Sequence, residues 1–221
     1  MADLSQPEVS PDDRHHLQRV LRLRPGEVVT ASDGRGGRRL CCYRGSARLE
    51  PEGEIEHVSA PVPPITIGFA LTKGDRPEWT VQKLAEAGVD RILPLVTSRT
   101  VVHWEGEKAA RQAGRLSAVA RGAAMQSRQV WLPVVHPVQA FGDVVASGVG
   151  GLAQPGGFPP DLALPTILVG PEGGWDDREL DCGLPAVGLG PTVLRAETAA
   201  LAAGLLLCAL RAGTVRPGGG Q

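Results

Sequence analysis

The sequence of 221 residues lacks any apolar run of the length, about 18 residues, that a helix needs to cross a bilayer. Its opening segment, MADLSQPEVSPDD, has neither a basic stretch nor an apolar stretch of the kind found in export signals. We therefore expect a protein of the cytoplasm. Hydrophobic residues make up 42% of the chain, and 221 residues are enough for one ordinary domain with a real core and a small additional domain.

Patterns for metal binding and disulfide formation are also absent. The five histidines lack the spacing of zinc ligands, and the four cysteines contain no C-x-x-C pair. The cysteines are Cys41, Cys42, Cys182 and Cys208. We expect free, buried thiols and no bound metal, because neighbouring strand residues such as Cys41 and Cys42 point to opposite faces.

The common nucleotide and hydrolase motifs are missing as well. There is no G-x-x-x-x-G-K-[ST] loop and no G-x-S-x-G elbow. The segment Asp33–Gly37, DGRGG, comes nearest to a dinucleotide fingerprint, but it lies among short strands with no helix after it. A hairpin turn is the better interpretation of this segment.

What the chain does have is an uneven charge distribution behind a formal net charge of −1. From Arg14 to Arg48 there are nine arginines against two acidic residues, Glu27 and Asp33. Such an excess is typical of a nucleic-acid footprint, and a merely soluble basic surface is the alternative.

The first sixty residues read as short strands separated by turns, which predicts a small β-barrel or curled sheet over residues 1–60. Apolar residues at helical spacing, from Leu17 to Leu23, predict one short helix before Pro25. The proline-rich stretch Ser59–Pro64 is the best domain boundary.

From residue 65 to 221, apolar runs alternate with amphipathic segments, which indicates an α/β domain with a parallel sheet. Predicted strands begin at Ile65, Asp90, Val130, Thr166 and Ala186, and predicted helices cover 75–88, 105–127, 176–181 and 197–211. Side-chain caps are expected from Asp75 with Glu78, and from Asp176 with Glu179. The glycine- and proline-rich segment 149–165 is expected to be a loop, with at most one weak strand and no readable chemistry.

Two loops follow buried strands near the C-terminus, GPEGGW after Val169 and GPTVLRAET after Leu189. Ligands of α/β sheets bind at the carboxyl ends of the strands, and glycine lets a ligand approach the backbone. These loops therefore form a candidate binding site, although glycine content by itself also fits ordinary tight turns.

Taken together, five segments resemble the ribosomal RNA small subunit methyltransferase E family of the SPOUT superfamily. They are HHLQRVLRLRPGE, LTKGDRPEWTVQKLAEAGVDRILPLVTSRTVV, QSRQVWLPVV, LVGPEGGWDDRELD and LGPTVLRAETAAL, and they span nearly the whole chain. The sequence departs from the family where members have an initial PRFF-type strand, so either the barrel lacks that strand or the natural start lies upstream. An acidic residue frequent in the family is also absent from Ala124–Arg128.

The resemblance implies an α/β fold with a C-terminal SPOUT-type domain whose final segment is threaded as a trefoil knot, preceded by a PUA-like RNA-binding barrel. It further implies a homodimer that methylates N3 of one uridine in 16S ribosomal RNA, within the 30S subunit, using S-adenosylmethionine. In similar proteins the cofactor lies in the knot, held mainly by backbone groups. The implied cofactor contacts are Leu168, Gly170, Pro171, Glu172, Gly173, Gly174, Leu189, Gly190, Leu194, Arg195 and Ala199.

Roles at the reacting base follow from chemistry, because N3 of uracil must lose a proton. Arg195 is the candidate to stabilise the developing uracil anion, unless it pairs with Glu172 or Glu197 to hold the loop. Glu172 or Glu197 could accept the proton, while Glu197 also suits the first turn of a helix. Thr198 could hydrogen-bond base or cofactor, or cap a turn.

RNA contacts are expected from cations, with solvated surface positions as the alternative. The candidates are Arg14, Arg19, Arg22, Arg24, Lys73, Arg76 and Arg128. Trp79 and Trp175 could stack on bases, or simply pack in the protein core.

Two functions compete with this interpretation. One is methylation of a ribose 2′-oxygen by another SPOUT enzyme, which mapping of the methyl group would identify. The other is RNA binding without catalysis, which cofactor titration would identify.

Overall fold

A computed structural model describes residues 3–15, 17, 22–146 and 148–216. The chain divides into two compact units, Met1–Pro61 with Arg128–Leu132, and Val62–Ser127 with Pro133–Gln221. The division after Pro61 lies within the proline-rich stretch Ser59–Pro64. In the described residues, no helix is both long and apolar enough to cross a membrane.

The first unit contains helix α1 (Pro11–His15) and an antiparallel sheet of β1 (Val28–Ser32), β2 (Gly37–Cys42), β3 (Glu50–Pro51) and β4 (Glu56–His57). Strand β2 pairs with each of the other three. The hairpin predicted at Asp33–Gly37 is confirmed, because the Asp33 Oδ1 atom accepts hydrogen bonds from the backbone N–H groups of Arg35 (2.7 Å) and Gly37 (2.9 Å). The predicted helix continuing through residues 18–21 lies outside the described residues.

A segment expected in the third strand of the second domain belongs to the first unit. The Gly36 N–H donates to the Val130 carbonyl and the Leu132 N–H to the Gly34 carbonyl, both at 3.0 Å. The Trp131 ring covers Gly36, where a Cβ would lie 2.7 Å from the Trp131 Cζ2 atom. Residues 130–132 are therefore taken up by the β1–β2 turn, and the strand in the second unit is only Val134–Val135.

The second unit is built on a parallel sheet of seven strands. They are β5 (Thr66–Ala70), β6 (Arg91–Val96), β7 (Val134–Val135), β8 (Gln139–Ala140), β9 (Gly151–Phe158), β10 (Thr166–Val169) and β11 (Ala186–Val187). The order is β11-β9-β10-β5-β6-β7, with β8 also beside β6. This confirms the predicted α/β class.

Five helices complete the second unit as described: α2 (Arg76–Ala87), α3 (Gly106–Gln126), α4 (Phe141–Val145), α5 (Asp177–Leu180) and α6 (Ala196–Arg211). The apolar faces of α2, α3 and α6 share one buried cluster with β5 and β10, including Ile67, Leu84 and Leu207. A second cluster contains Phe141 and Trp175, whose ring centroids are 5.0 Å apart. Trp175 is therefore a packing residue rather than an exposed stacking face.

The two predicted helix caps have different outcomes. The capping box at α5 is confirmed, with the Asp176 N–H donating to Glu179 Oε2 at 2.9 Å. The prediction for Asp75 is wrong, because its side chain makes no cap hydrogen bond. Its backbone is already in the helical region (φ −90°, ψ −1°), whereas a capping side chain normally needs an extended backbone. Gly88 ends α2 as predicted, in the left-handed conformation (φ 89°).

The cysteines are free thiols. Cys41 and Cys42 are buried in β2, as expected, whereas Cys182 and Cys208 are only half-buried. Burial nevertheless raises the pKa of the Cys208 thiol to about 11, so that this group stays protonated and unreactive near neutral pH.

The largest departure from the sequence prediction is β9, a full strand where a loop with at most one weak strand was expected. This strand of eight residues pairs in parallel with β10 on one side and β11 on the other. Its glycines make the close approach possible, since a Cβ at Gly157 would lie 2.6 Å from the backbone carbon of Ala186. Glycine content therefore marks tight strand packing here rather than a loop.

Replacing Gly157 by alanine is expected to lower the free energy of unfolding by about 1–3 kcal/mol, because backbone atoms of β11 cannot rotate away from the new methyl group. The measurement is urea unfolding followed by circular dichroism. Gly122→Ala is the matched control, since a Cβ there meets nothing within 4 Å and alanine favours a helix by about 1 kcal/mol. Equal stability of the Gly157 variant and the parent protein would contradict the tight β9–β11 packing.

Candidate functional site

The two C-terminal loops meet at one cavity of about 640 Å³, at the carboxyl ends of β10 and β11 and beside the middle of β9. The first loop, Gly170–Trp175, follows β10, and the second, Gly188–Arg195, connects β11 to α6. The cavity is lined by Arg76, Ala153, Gln154, Pro155, Val169, Gly170, Pro171, Glu172, Gly174, Trp175, Leu189, Gly190, Thr192, Val193, Leu194, Arg195, Ala196 and Ala199. The juxtaposition follows from the parallel sheet, which brings carboxyl strand ends to one edge.

The first loop is a tight turn fastened on its outer side. The Gly174 N–H donates to the Pro171 carbonyl at 2.8 Å, and Gly174 has a left-handed backbone (φ 72°) that favours glycine. Outside the turn, Arg99 Nη1 donates to the Gly173 carbonyl at 2.9 Å. The loop is thus held in place through the segment that follows β6.

The second loop leads directly into α6. Arg195 is the N-cap residue, with an extended backbone (φ −65°, ψ 155°), and its carbonyl accepts from the Ala199 N–H at 2.8 Å. Leu189 and Leu194 pack against the large apolar cluster. The backbone of Arg195 is therefore fixed, while its side chain is exposed at the cavity wall.

A charged cluster joins the two loops. Arg76, the first residue of α2, contacts the Glu172 carboxylate, and its Nε atom lies 3.9 Å from Glu197 Oε1. The alternative role considered for Arg195, pairing with these carboxylates, is therefore taken by Arg76. Within the described part of the chain, Arg195 forms no ion pair of its own.

The expected cofactor contacts are brought together around the cavity, except for two. Leu168 is fully buried in the second apolar cluster, because alternate residues of β10 face opposite sides of the sheet. Gly173 faces Arg99 through its carbonyl. Of the residues expected to act on the base, Arg195 and Glu172 line the cavity. Glu197 lies beside Arg76, and Thr198 is exposed in the first turn of α6; neither is part of the cavity wall.

Sequence reasoning missed the wall that β9 provides, namely Ala153, Gln154 and Pro155. Val169, Trp175, Thr192, Val193 and Ala196 also line the cavity, although they were not among the implied cofactor contacts. Four of these residues lie within GPEGGW and GPTVLRAET, and Val169 directly precedes the first motif, so all five could have been found from the motifs themselves. The β9 residues could not, because a glycine- and proline-rich segment carries no periodic signal of a strand.

The expected RNA-binding cations are distributed over both units. In the first unit, Arg14, Arg22, Arg24 and Arg128 are exposed, and Arg22 and Arg128 have positive φ angles of 53° and 57°. Arg19 lies outside the described residues. In the second unit, Lys73 is exposed after β5, and Arg76 is in the charged cluster at the cavity.

The basic character inferred from residues 14–48 does not extend to the first unit as a whole. This unit contains ten arginines and ten acidic residues, because the flanking segments supply carboxylates. Ion pairs join Arg38 to Glu56 (2.7 Å) and Arg44 to Glu50 (2.5 Å). A charge count over a window therefore overstated the free positive charge.

Comparison with known families covers both units. Residues 59–153 and 161–207 match the model of the RNA methyltransferase domain, and residues 9–56 match the model of the RNA methyltransferase PUA domain. The ribosomal RNA small subunit methyltransferase E of Mycobacterium tuberculosis is 34% identical, over 88% of this chain and 83% of the relative. The enzyme of the same name from Synechocystis is also 34% identical, over 84% and 67% of the two chains.

Solved structures give the same result. A protein from Legionella pneumophila, solved in complex with the bound cofactor SAM, superposes with a TM-score of 0.80 at 28% identity, over 92% of this chain and 91% of the other. Ribosomal RNA small subunit methyltransferase E from Neisseria gonorrhoeae, bound to S-adenosyl methionine, gives a TM-score of 0.76 at 29% identity, over 94% and 92%. With both domains matched and the two loop motifs forming one cavity, the chain belongs to the ribosomal RNA small subunit methyltransferase E family of RNA methyltransferases.

Proposed function

We propose that this protein transfers a methyl group from S-adenosylmethionine to N3 of a specific uridine in 16S ribosomal RNA, within the 30S subunit. The observation that carries the proposal is the single cavity formed by GPEGGW and GPTVLRAET, in a chain whose relatives are named for methylation of small-subunit ribosomal RNA. The choice of uridine N3 comes from the sequence resemblance. The same proposal includes a location in the cytoplasm and a trefoil knot formed by the final segment of the chain.

The residues present fit such a cofactor. A volume of about 640 Å³ is in the range of about 300–1,000 Å³ usual for small-molecule sites. Val169, Leu189, Leu194 and Ala199 offer apolar surface for an adenosyl group, and the glycines leave backbone N–H and C=O groups accessible. When bound, S-adenosylmethionine supplies an electrophilic methyl group on a sulfonium.

The protein itself must position the uracil and stabilise the charge that appears when N3 loses its proton. Arg195 has a fixed backbone and a side chain at the cavity wall, so that its guanidinium can donate to uracil oxygens. Glu172 is the carboxylate on the wall and can accept the proton. Thr198 is exposed at the start of α6 and suits a hydrogen bond to RNA outside the cavity.

RNA phosphates are bound by exposed cations in this proposal, with Arg14, Arg22, Arg24 and Arg128 on the first unit and Lys73 on the second.

The functional form is a homodimer. Its support is the part of α6 outside the buried cluster, where Leu205 is 49% exposed and Leu201 and Leu206 are half-buried. Apolar helix surface of this kind is typical of subunit interfaces.

The test is transfer of a labelled methyl group from S-adenosylmethionine to 30S subunits that lack the modification, followed by nucleoside mass spectrometry of the 16S RNA. We expect labelled 3-methyluridine at one position, and no incorporation into 30S subunits that already carry the methyl group. A methylated ribose would assign a different activity to the same fold. If the protein bound RNA but not S-adenosylmethionine, it would be an RNA-binding protein without catalytic activity.

A further inference from the structure

We infer that Arg76 is a positioning residue that fastens the two loops of the cavity to each other, and not an anchor for an RNA phosphate. The inference rests on the proposed function, in which these loops hold the cofactor. Arg76 begins α2, Glu172 belongs to the first loop, and Glu197 follows the second loop in the first turn of α6. A single guanidinium therefore connects three elements that are far apart in the sequence.

The geometry suits an arginine. The Nη1 atom of Arg76 contacts Glu172 Oε1, while its Nε atom faces Glu197 Oε1 at 3.9 Å. A guanidinium can present two edges in fixed directions to two carboxylates, whereas a lysine ammonium is a single point charge on a flexible chain. The helix α2 is itself well fixed, since Val81, Leu84 and Ala85 are fully buried.

Burial makes the connection to Glu197 important. The side chain of Glu197 is only 14% exposed, and its Oε2 atom is buried without a hydrogen-bond partner among the described residues. A nearly buried carboxylate needs a compensating positive charge, and Arg76 is the cation beside it. Without Arg76, the first turn of α6 must shift to return Glu197 to water, and the second loop shifts with it.

The same contacts weaken the alternative role. Two carboxylates already face Arg76, so little positive charge remains for a phosphate. Lys73, three residues earlier, is exposed, and its ammonium has no ion pair among the described residues. Lys73 is therefore the better phosphate contact in this loop, and it supplies the comparison that separates the two roles.

The experiment compares Arg76→Ala, Arg76→Lys and Lys73→Ala in the full-length protein. Calorimetry measures the affinity for S-adenosylmethionine, filter binding measures the affinity for 30S subunits, and hydrogen exchange of the protein alone measures protection of Gly170–Gly174 and Leu194–Ala199. We expect Arg76→Ala to weaken cofactor binding about tenfold, equivalent to about 1.4 kcal/mol. Exchange should become faster in both loops, with 30S affinity unchanged. Arg76→Lys should be intermediate, and Lys73→Ala should weaken only 30S binding.

Arg115→Ala is the control for loss of an ion pair with α2. The Arg115 Nε atom lies 2.8 Å from Glu78 Oε1 of α2, and neither residue lines the cavity. Arg115→Ala should leave the affinity for S-adenosylmethionine and the hydrogen exchange of both loops unchanged.

If Arg76→Ala unfolds the protein, a double-mutant cycle of Arg76→Lys with Glu197→Gln replaces this variant, and additive effects overturn the inference. Unchanged loop exchange together with weaker 30S binding in Arg76→Ala also overturns it. Failure of the parent protein to bind S-adenosylmethionine would refute the proposed function. Hydrogen exchange of the two loops would still test whether Arg76 holds them together, because it is measured without the cofactor.

Discussion

Replacing Arg211 by alanine is expected to lower the free energy of unfolding of the second unit by about 3–5 kcal/mol, the range found when one partner of a buried ion pair is removed. Arg211 ends α6 and is only 12% exposed; its partner Asp90, before β6, is 20% exposed. The Asp90 carboxylate accepts from Arg211 Nη1 and from the Ile65 N–H (2.7 Å) through the same Oδ2 atom. Alanine would leave that carboxylate without its cation.

The guanidinium also satisfies backbone carbonyls that lie at the end of α2 and before β5. Arg211 Nη2 donates to the Gly88 carbonyl at 2.8 Å, and Nη1 donates to the Pro63 carbonyl at 3.1 Å. Three acceptors from two connections of the chain therefore converge on one side chain, and they lose their partner together. This convergence places the expected loss above that of a surface pair, which is about 0–1 kcal/mol.

Chemical unfolding monitored by circular dichroism measures the effect. Arg115→Ala serves as the control, because that side chain is 61% exposed in its pair with Glu78 and should contribute less than about 1 kcal/mol. The double variant Arg211→Met with Asp90→Asn should recover part of the loss, since it removes both charges. A loss of less than 1 kcal/mol in Arg211→Ala would show that water replaces the guanidinium at no great cost.

The sequence predicted the second unit well where its pattern was periodic. Strands β5 and β10 and helices α2, α3 and α6 were located within a few residues, because each has a buried apolar face or run that the 3.6- or 2-residue period reveals. Helix α5 was located by its capping box. Local hydrogen bonding and burial were sufficient for these elements.

Prediction failed where long-range contacts decide the structure. Residues 130–132 have the apolar character of a core strand, yet the turn at Gly34–Gly36 takes their hydrogen bonds. Strand β9 has almost no strand signal, and only its position between β10 and β11 makes it one. The charge count of residues 14–48 failed for the same reason, since distant carboxylates such as Glu8 and Glu56 pair with arginines in this window.

The candidate site was largely predictable because two contiguous motifs supply most of its wall. The motifs did not reveal which arginine pairs with the two carboxylates and which remains unpaired within the described residues. Arg195 and Arg76 are both arginines at element termini, and the sequence gives no reason to prefer one as the partner of Glu172 and Glu197. The fold decides, because α2 begins beside both carboxylates. Arg195 is thereby left available for a ligand.

Replacing Arg195 by alanine is accordingly expected to lower the rate of methyl transfer by about 10²–10³-fold, the usual effect of removing one donor to a developing anion. Affinity for S-adenosylmethionine should change little, because the backbone of Arg195 remains the N-cap of α6 and the side chain forms no ion pair within the described residues. Single-turnover transfer to 30S subunits lacking the modification, together with calorimetry of the cofactor, measures both quantities. Arg178→Ala, which removes an exposed charge from α5, is the matched control.

The pH dependence separates stabilisation of the anion from simple positioning. A guanidinium at the uracil oxygens lowers the pKa of N3 in the bound state, so the rate of the parent protein should reach its plateau at lower pH than that of Arg195→Ala. The deficit of the variant should then shrink as the pH rises. Arg195→Lys should retain part of this effect, since the charge remains but the two-pronged hydrogen bonding does not. A deficit that is the same at every pH would mean that Arg195 positions the substrate without stabilising its anion.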